Sequence, residues 1–222
     1  MSKKKSSAFL HIVTPFIVLL ICSGVLAVAL IKPYDKAKVY LNLAFMDDLK
    51  LSPQNKSSGL TIKQNEIQTD YSGETSETGE VIHPSFAEQF AVISSDRFSL
   101  DVPVYWGSGN ELLELGACQA VYSALPGTEG HSVISAHADT FFSELTELKE
   151  GDTVKINTQY GEFVYTVKEL ITFTKTQNKY VAPSKDTKLT LYTCKKDVLG
   201  SSDERIGAVC ELTQKKFYKE VQ

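Results

Sequence analysis

From about residue 81 to residue 212 the chain is a succession of short β-rich runs, each closed by a turn signal. The runs are FAVI at 90–93, LDVPVYW at 100–106, SVISA at 132–136, DTVKI at 152–156, EFVYTVKELITF at 162–173, LTLYT at 189–193 and IGAVCEL at 206–212. β-Branched and aromatic residues suit a pleated surface, and their spacing sets an apolar face against a core. Thr158, Gln159, Tyr160 and Gly161 predict a hairpin between two of the runs, and LPGTEG at 125–130 reads as a Pro-Gly turn. So many short strands with little helix between them predict a mainly β fold, a closed antiparallel β-barrel with a few short helices. The longest helical candidate is FFSELTELK at 141–149. A domain over 81–222 is long enough to hold its own core.

What precedes residue 81 is not expected to belong to such a barrel, by composition. Residues 8–31 carry no charge at all, and 24 residues of helix reach about 36 Å, enough to cross a hydrocarbon layer of about 30 Å. The run is too long for a cleaved signal peptide, and Ile21 stands where a lipoprotein signal needs a small residue before Cys22. Residues 1–32 are therefore expected to form a cytoplasmic tip and a transmembrane signal anchor. Lys3, Lys4 and Lys5 ahead of the run, set against Lys32, Lys36, Lys38 and Asp35 after it, lean toward an expected orientation with the bulk of the chain outside the cell membrane, in a single pass. Residues 33–50 are expected to be a juxtamembrane spacer. Residues 52–80, rich in Ser, Thr, Gly and Glu, read as a polar linker that buries too little apolar surface to fold alone, so that 33–80 joins anchor to barrel.

The formal net charge is −4, and no basic patch suited to a nucleic acid lies outside the amino-terminal lysines. Chemistry must come from a few residues. Cys22 lies in the apolar run, while Cys118 in GACQA and Cys210 in GAVCEL read as small core residues, with a bridge between them left open. Cys194 differs, because it closes the strand LTLYT and the polar loop KKDVLGSSDE follows at once. A thiol at a strand end beside a loop becomes a nucleophile when a base stands near. Among four histidines, His137 occupies the matching position, ending SVISA and opening the turn Ala138, Asp139, Thr140. The chain meets its cationic needs with 21 lysines and only two arginines, Arg97 and Arg205. Arg205 heads IGAVCEL, where a planar guanidinium could hold an oxyanion.

Together these residues resemble the sortases, cysteine transpeptidases of Gram-positive cell surfaces. TLYTC at 190–194 is similar to that family's TLxTC signature, and Arg205 follows it eleven residues on. SVISAHADTFF at 132–142 resembles the block around the family histidine, and LKEGD at 148–152 and VPVYWG at 102–107 resemble neighbouring landmarks. The resemblance covers about residues 86–214 and the amino-terminal anchor. It implies Cys194 as nucleophile, His137 as general acid and base, Arg205 as stabiliser of the acyl carbonyl and Thr193 as a substrate-binding residue, with Asp139 orienting the histidine or its loop. It implies as partners protein substrates bearing an LPxTG-like sorting signal and an amine acceptor, either a peptidoglycan precursor or a pilin lysine. No cofactor is implied, and a need for calcium is left open. A single amino-terminal anchor on a compact barrel, with no Asp-Pro-aromatic lid in HPSF at 83–86, resembles class D, with class B next.

Three rival readings are weaker on sequence grounds. A papain-like cysteine protease places its cysteine before its histidine, the reverse of the order here. A zinc enzyme could draw on His131, His137 and Asp139, but neither HExxH nor CxxC spacing is present. A membrane-tethered β-domain that only binds partners would leave Cys194 inert.

Overall fold

The computed structural model of the protein describes residues 14, 17–20, 22–23, 60–99, 101–197 and 200–219. The chain divides into two compact units, Met1–Lys50 and Leu51–Gln222. In the first unit the described residues are helical, and Ile17, Val18, Leu19 and Leu20 are exposed. The remainder of the expected anchor, and the spacer at 33–50, lie outside the described residues. Among the described residues no helix is long and apolar enough to cross a membrane.

Among the described residues the second unit is built on nine strands. They are β1 (Thr75–Ser76), β2 (Gln89–Ser94), β3 (Val102–Trp106), β4 (Ala117–Gln119), β5 (His131–Ser135), β6 (Thr153–Thr158), β7 (Gly161–Thr174), β8 (Lys188–Asp197) and β9 (Gly200–Tyr218). The sheet runs β9-β7-β6-β2-β3-β4-β5-β8, and β8 pairs back onto β9, so eight strands close a barrel while β1 adds to the outside of β9. Inward-facing side chains pack in rows across neighbouring strands. Ile93, Ile156 and Phe163 stand opposite one another on β2, β6 and β7, and Ile134, Leu191 and Ala208 do so on β5, β8 and β9; all six are fully buried. Closure leaves almost no open sheet edge.

The barrel departs from the antiparallel expectation at two pairs, for β3 with β4 and β5 with β8 are parallel. The first is reached through the short crossover at 107–116, which carries a single helix, α1 (Asn110–Leu113). The second joins strands separated in sequence by β6 and β7, and such a register cannot be read from local patterning. The helix expected at 141–149 is instead a series of turns with one 3-10 turn at Leu145–Glu147. Phe141, Phe142, Leu145 and Leu148 are buried at helix-like spacing, but the backbone bonds reach three residues back, from Ser143 to Thr140, Leu145 to Phe142 and Leu148 to Leu145, so the path is tighter than an α-helix. Ser99 donates its N–H and hydroxyl to the Glu144 carboxylate, and the Lys149 N–H donates to Asp152.

The Pro-Gly turn forms as expected: the Thr128 N–H donates to the Leu125 carbonyl at 3.1 Å, and Gly127 sits at φ +83°. A Cβ there would lie 2.1 Å from the Phe163 ring, so glycine is required by both conformation and space.

The polar stretch expected as linker behaves differently over residues 60–80. Ile62 is buried with Ala87, Tyr105, Leu112 and Cys118 on the outside of β3 and β4, and Ile67 is buried further along. Lys63 exchanges backbone bonds with Ala87 and Gln89, and β1 pairs with Phe217 and Tyr218 at the end of β9. Tyr71 stacks on Tyr218 with ring centroids 3.9 Å apart. Burial works to raise the Glu88 carboxyl, but hydrogen bonds from the Lys63 ammonium, the Ser85 N–H and Asn65 outweigh it and hold it down at about 2. The segment has too few apolar residues to fold alone. It folds because the barrel supplies a surface on which those few are enough.

Candidate active site

The site is assembled by β5, β8 and β9 at one end of the barrel. On β8, Leu189, Leu191 and Thr193 point inward and are buried, so the alternation of a strand turns Tyr192 and Cys194 outward. Cys194 is half-buried and lies directly opposite Arg205 in the antiparallel pair with β9. On the other side β5 runs parallel to β8, with Ser135 opposite Tyr192. That register, carried two residues past its last pair, sets His137 alongside Cys194. His137 is exposed and follows the buried Ala136. His137, just past the end of β5, is thus in register with Cys194, which faces Arg205 within the β8–β9 pair. The strand expected to close at Cys194 runs on to Asp197, and Lys196 and Asp197 pair with Ser201 and Gly200, so much of the stretch expected as a polar loop is paired strand.

Arg205 is half-buried, and its Nη1 donates to the carbonyls of Ser202 (2.9 Å) and Glu204 (3.1 Å). Those two bonds tie one arm of the guanidinium to its own hairpin and fix its plane. The hairpin is held in turn by ion pairs from Lys195 to Glu204 and from Lys175 to Asp203, each 2.7 Å, and by the Lys175 N–H on the Asp203 carbonyl. Arg97, the other arginine, makes a two-pronged contact with Asp152 at 2.8 and 3.1 Å and has a structural task.

The Thr193 side chain is 2% exposed, and its hydroxyl donates to the Ala136 carbonyl at 2.7 Å, so it faces β5. Asp139 is exposed on the turn after His137. His131, weighed as a metal ligand, is buried and fully engaged. Its Nδ1 lies 2.7 Å from the Ala182 carbonyl and its Nε2 lies 2.8 Å from the Thr190 hydroxyl. A carbonyl only accepts, so Nδ1 carries the proton and Nε2 accepts from Thr190. Burial lowers its pKa, with the Ala182 carbonyl opposing. Among the described residues no group of three His, Cys, Asp or Glu side chains could hold a metal ion. Cys118 and Cys210 are free, buried thiols, each pushed up to about 12 by burial, so neither is poised to react.

Sequence reading missed the aromatic surroundings. Tyr192 meets the edge of Phe173 at 5.7 Å, and Phe173 packs on Tyr180 at 5.6 Å. In the loop after β4, Tyr122 lies near Tyr192; burial and the neighbouring Tyr192 phenol push the Tyr122 phenol above its usual range. Gly207 opposite Tyr192 permits the close approach of β9, since a Cβ there would lie 2.1 Å from the Leu191 carbonyl. The tyrosine inside TLYT was the available signal.

A family model described as the sortase domain matches residues 93–213, which contain His137, Cys194 and Arg205. The chain belongs to the sortase family. Sortase D of Bacillus subtilis (strain 168) is 29% identical over 84 residues, 38% of this chain and 42% of that protein, so the match spans less than half of this curated relative. Among solved sortases, sortase A from Corynebacterium diphtheriae is 27% identical with a TM-score of 0.53, over 57% of this chain and 61% of that one. The sortase D5 transpeptidase of Clostridium perfringens (20% identity, TM-score 0.55, 60% and 83% covered) and sortase A of Listeria monocytogenes (23%, 0.54, 60% and 92%) share the fold.

Proposed function

We propose that this sortase is a cysteine transpeptidase of the class D kind that cleaves an LPxTG-like sorting signal and passes the acyl group to an amine on the cell surface. It acts outside the cell, held to the membrane by residues 8–31. The observation that carries the reading is the register of β8, with Cys194 opposite Arg205 on one side and the approach of His137 on the other.

The residues divide the work as follows. The Cys194 thiol gives its proton to the His137 imidazole, and the sulfur attacks the carbonyl carbon of the scissile peptide bond. Negative charge gathers on the carbonyl oxygen, where Arg205 donates through the N–H groups that its hairpin carbonyls do not hold. The C–N bond breaks as His137 returns the proton to the departing amine, leaving the acyl group on sulfur. An incoming amine then attacks the thioester, its proton passing to His137 and on to the departing sulfur. A new amide replaces the old one. The amine is the peptide cross-bridge of a cell-wall precursor or a pilin lysine, and Asp139 orients His137 or its loop.

Incubating the full chain with a panel of LPxTG-like peptides and candidate amines, read by mass spectrometry, tests the reading. Products in which the amine has replaced the carboxyl-terminal fragment are expected. Release of free acid alone with every amine, or no cleavage of any peptide, would overturn it.

A further inference from the structure

We infer that Thr193 is a positioning residue for His137, acting through the Ala136 carbonyl, rather than a contact for the substrate; this rests on the transpeptidase reading above. The parallel pair of β5 and β8 ends at Ser135 and Tyr192, one residue short of Thr193 and two short of Cys194. Beyond that point His137 must be held against β8 by something other than a continuing ladder. The last backbone link, from the Ala136 N–H to the Tyr192 carbonyl, is 3.4 Å long, outside the usual range for such a bond. The Thr193 hydroxyl reaches the Ala136 carbonyl at 2.7 Å, in a buried setting. In a ladder extended by one rung that carbonyl would accept from the Cys194 N–H. The hydroxyl supplies a donor there and closes the strand pair.

The consequence lies in which residues are joined. Ala136 immediately precedes His137, and Thr193 immediately precedes Cys194. One hydrogen bond therefore sets the spacing between the backbones that carry base and nucleophile. His137 is otherwise tethered on its far side by the Phe142 N–H, which donates to its carbonyl at 3.1 Å. Thr190 makes the matching link at the opposite end of β5, where its hydroxyl meets His131. The two threonines of TLYT thus pin the start and the finish of the strand that presents His137, Thr190 on the outer face and Thr193 on the inner. Thr193 is buried and faces inward, so a peptide lying on the outer face beside Cys194 does not reach its hydroxyl.

Steady-state transpeptidation by the full-length chain in detergent, with Thr193→Val and Thr193→Ser, tests the clamp. Valine keeps shape and β-preference but removes the donor, so kcat is expected to fall 10–100-fold with KM changed less than twofold, since a misplacement of about 1 Å costs about that much. Serine restores the donor and should bring kcat back to within threefold. The ring protons of His137, followed by NMR through a pH titration, should shift position in the valine variant and return in the serine variant, whether or not turnover is detected. If valine prevents folding, Thr193→Ala replaces it, with the same loss expected. A rise in KM at unchanged kcat would show a substrate contact, and an unchanged kcat and His137 spectrum in the valine variant would show no role; either overturns the clamp. Absence of transpeptidation by the unaltered chain would instead count against the functional reading, and the His137 spectra would still decide the clamp.

Discussion

Strand β5 carries a histidine at its first position and another two residues past its end, and the two have opposite surroundings. His131 is buried, with a proton fixed on Nδ1 by the Ala182 carbonyl and Nε2 occupied by Thr190. His137 is exposed, on the turn beside Cys194. One imidazole is tied into the fold and the other stands at the surface. The same division separates Arg97, locked onto Asp152, from Arg205, tied by one arm only. Residue type therefore says little about role here. What separates structure from chemistry is how many of the polar atoms the fold has already engaged.

The sharpest way to break this comparison is to remove the groups at the chemical end. Cys194→Ala should abolish both peptide cleavage and any acyl adduct, because the other thiols of the barrel, Cys118 and Cys210, are buried with raised pKa values. Turnover by this variant, measured by product mass, would place the nucleophile elsewhere. A chain beginning at residue 81 removes the segment that packs outside the barrel. Losing the buried side chains of Ile62 and Ile67 should cost on the order of 3–6 kcal/mol, seen as a lower midpoint in denaturant than for a chain beginning at residue 51. Equal midpoints would return residues 60–80 to the status of a linker.

Arg205→Lys keeps the charge but loses the fork, and should cost about 2.7–4 kcal/mol of barrier, or on the order of 10²–10³ in rate. Near-normal turnover with lysine would reduce Arg205 to a simple charge. The smallest effect belongs to the structural end. His131→Gln should cost about 1–3 kcal/mol of stability, mainly through the buried Thr190 hydroxyl, with chemistry in the surviving folded protein little changed. His131 also gives the fold a pH signature. Its folded pKa lies below the ordinary value of about 6.5, so the unfolded chain binds the proton first as pH falls. The stability it contributes is present above pH 6.5 and declines below it, through the interval down to its folded pKa. Denaturation midpoints measured from pH 8 to pH 5 should fall less steeply in His131→Gln. Parallel curves would assign the acid sensitivity to other groups.

Much of this arrangement was legible in sequence because it rests on local pattern. The runs that became β2, β3, β5, β6, β7, β8 and β9 alternate clearly enough to be seen alone. Strands β1 and β4, of two and three residues, are too short to show a period. The parallel pairs were hidden because pairing between distant strands leaves no local trace. Residues 141–149 misled because burial of Phe141, Phe142, Leu145 and Leu148 imitates a helix, while Ser99 on Glu144 and the Lys149 N–H on Asp152 hold a tighter path. The polar residues 60–80 looked unable to fold because composition cannot count a surface provided by the rest of the chain. At the site, order along the chain singled out His137, Cys194 and Arg205 as candidates, but which way Thr193 faces depends on the barrel's inside and outside.

The central claim is that Cys194 carries the acyl group while His137 moves the protons. Intact-protein mass spectrometry after mixing the full chain with a cleavable sorting peptide, before and after addition of amine, tests it most directly. An adduct of the acyl fragment is expected that maps to Cys194, accumulates without amine and disappears into the new amide when amine is added, with both steps slowed together in His137→Ala. Peptide cleavage at full rate with no adduct on Cys194, or with His137→Ala unimpaired, would contradict it.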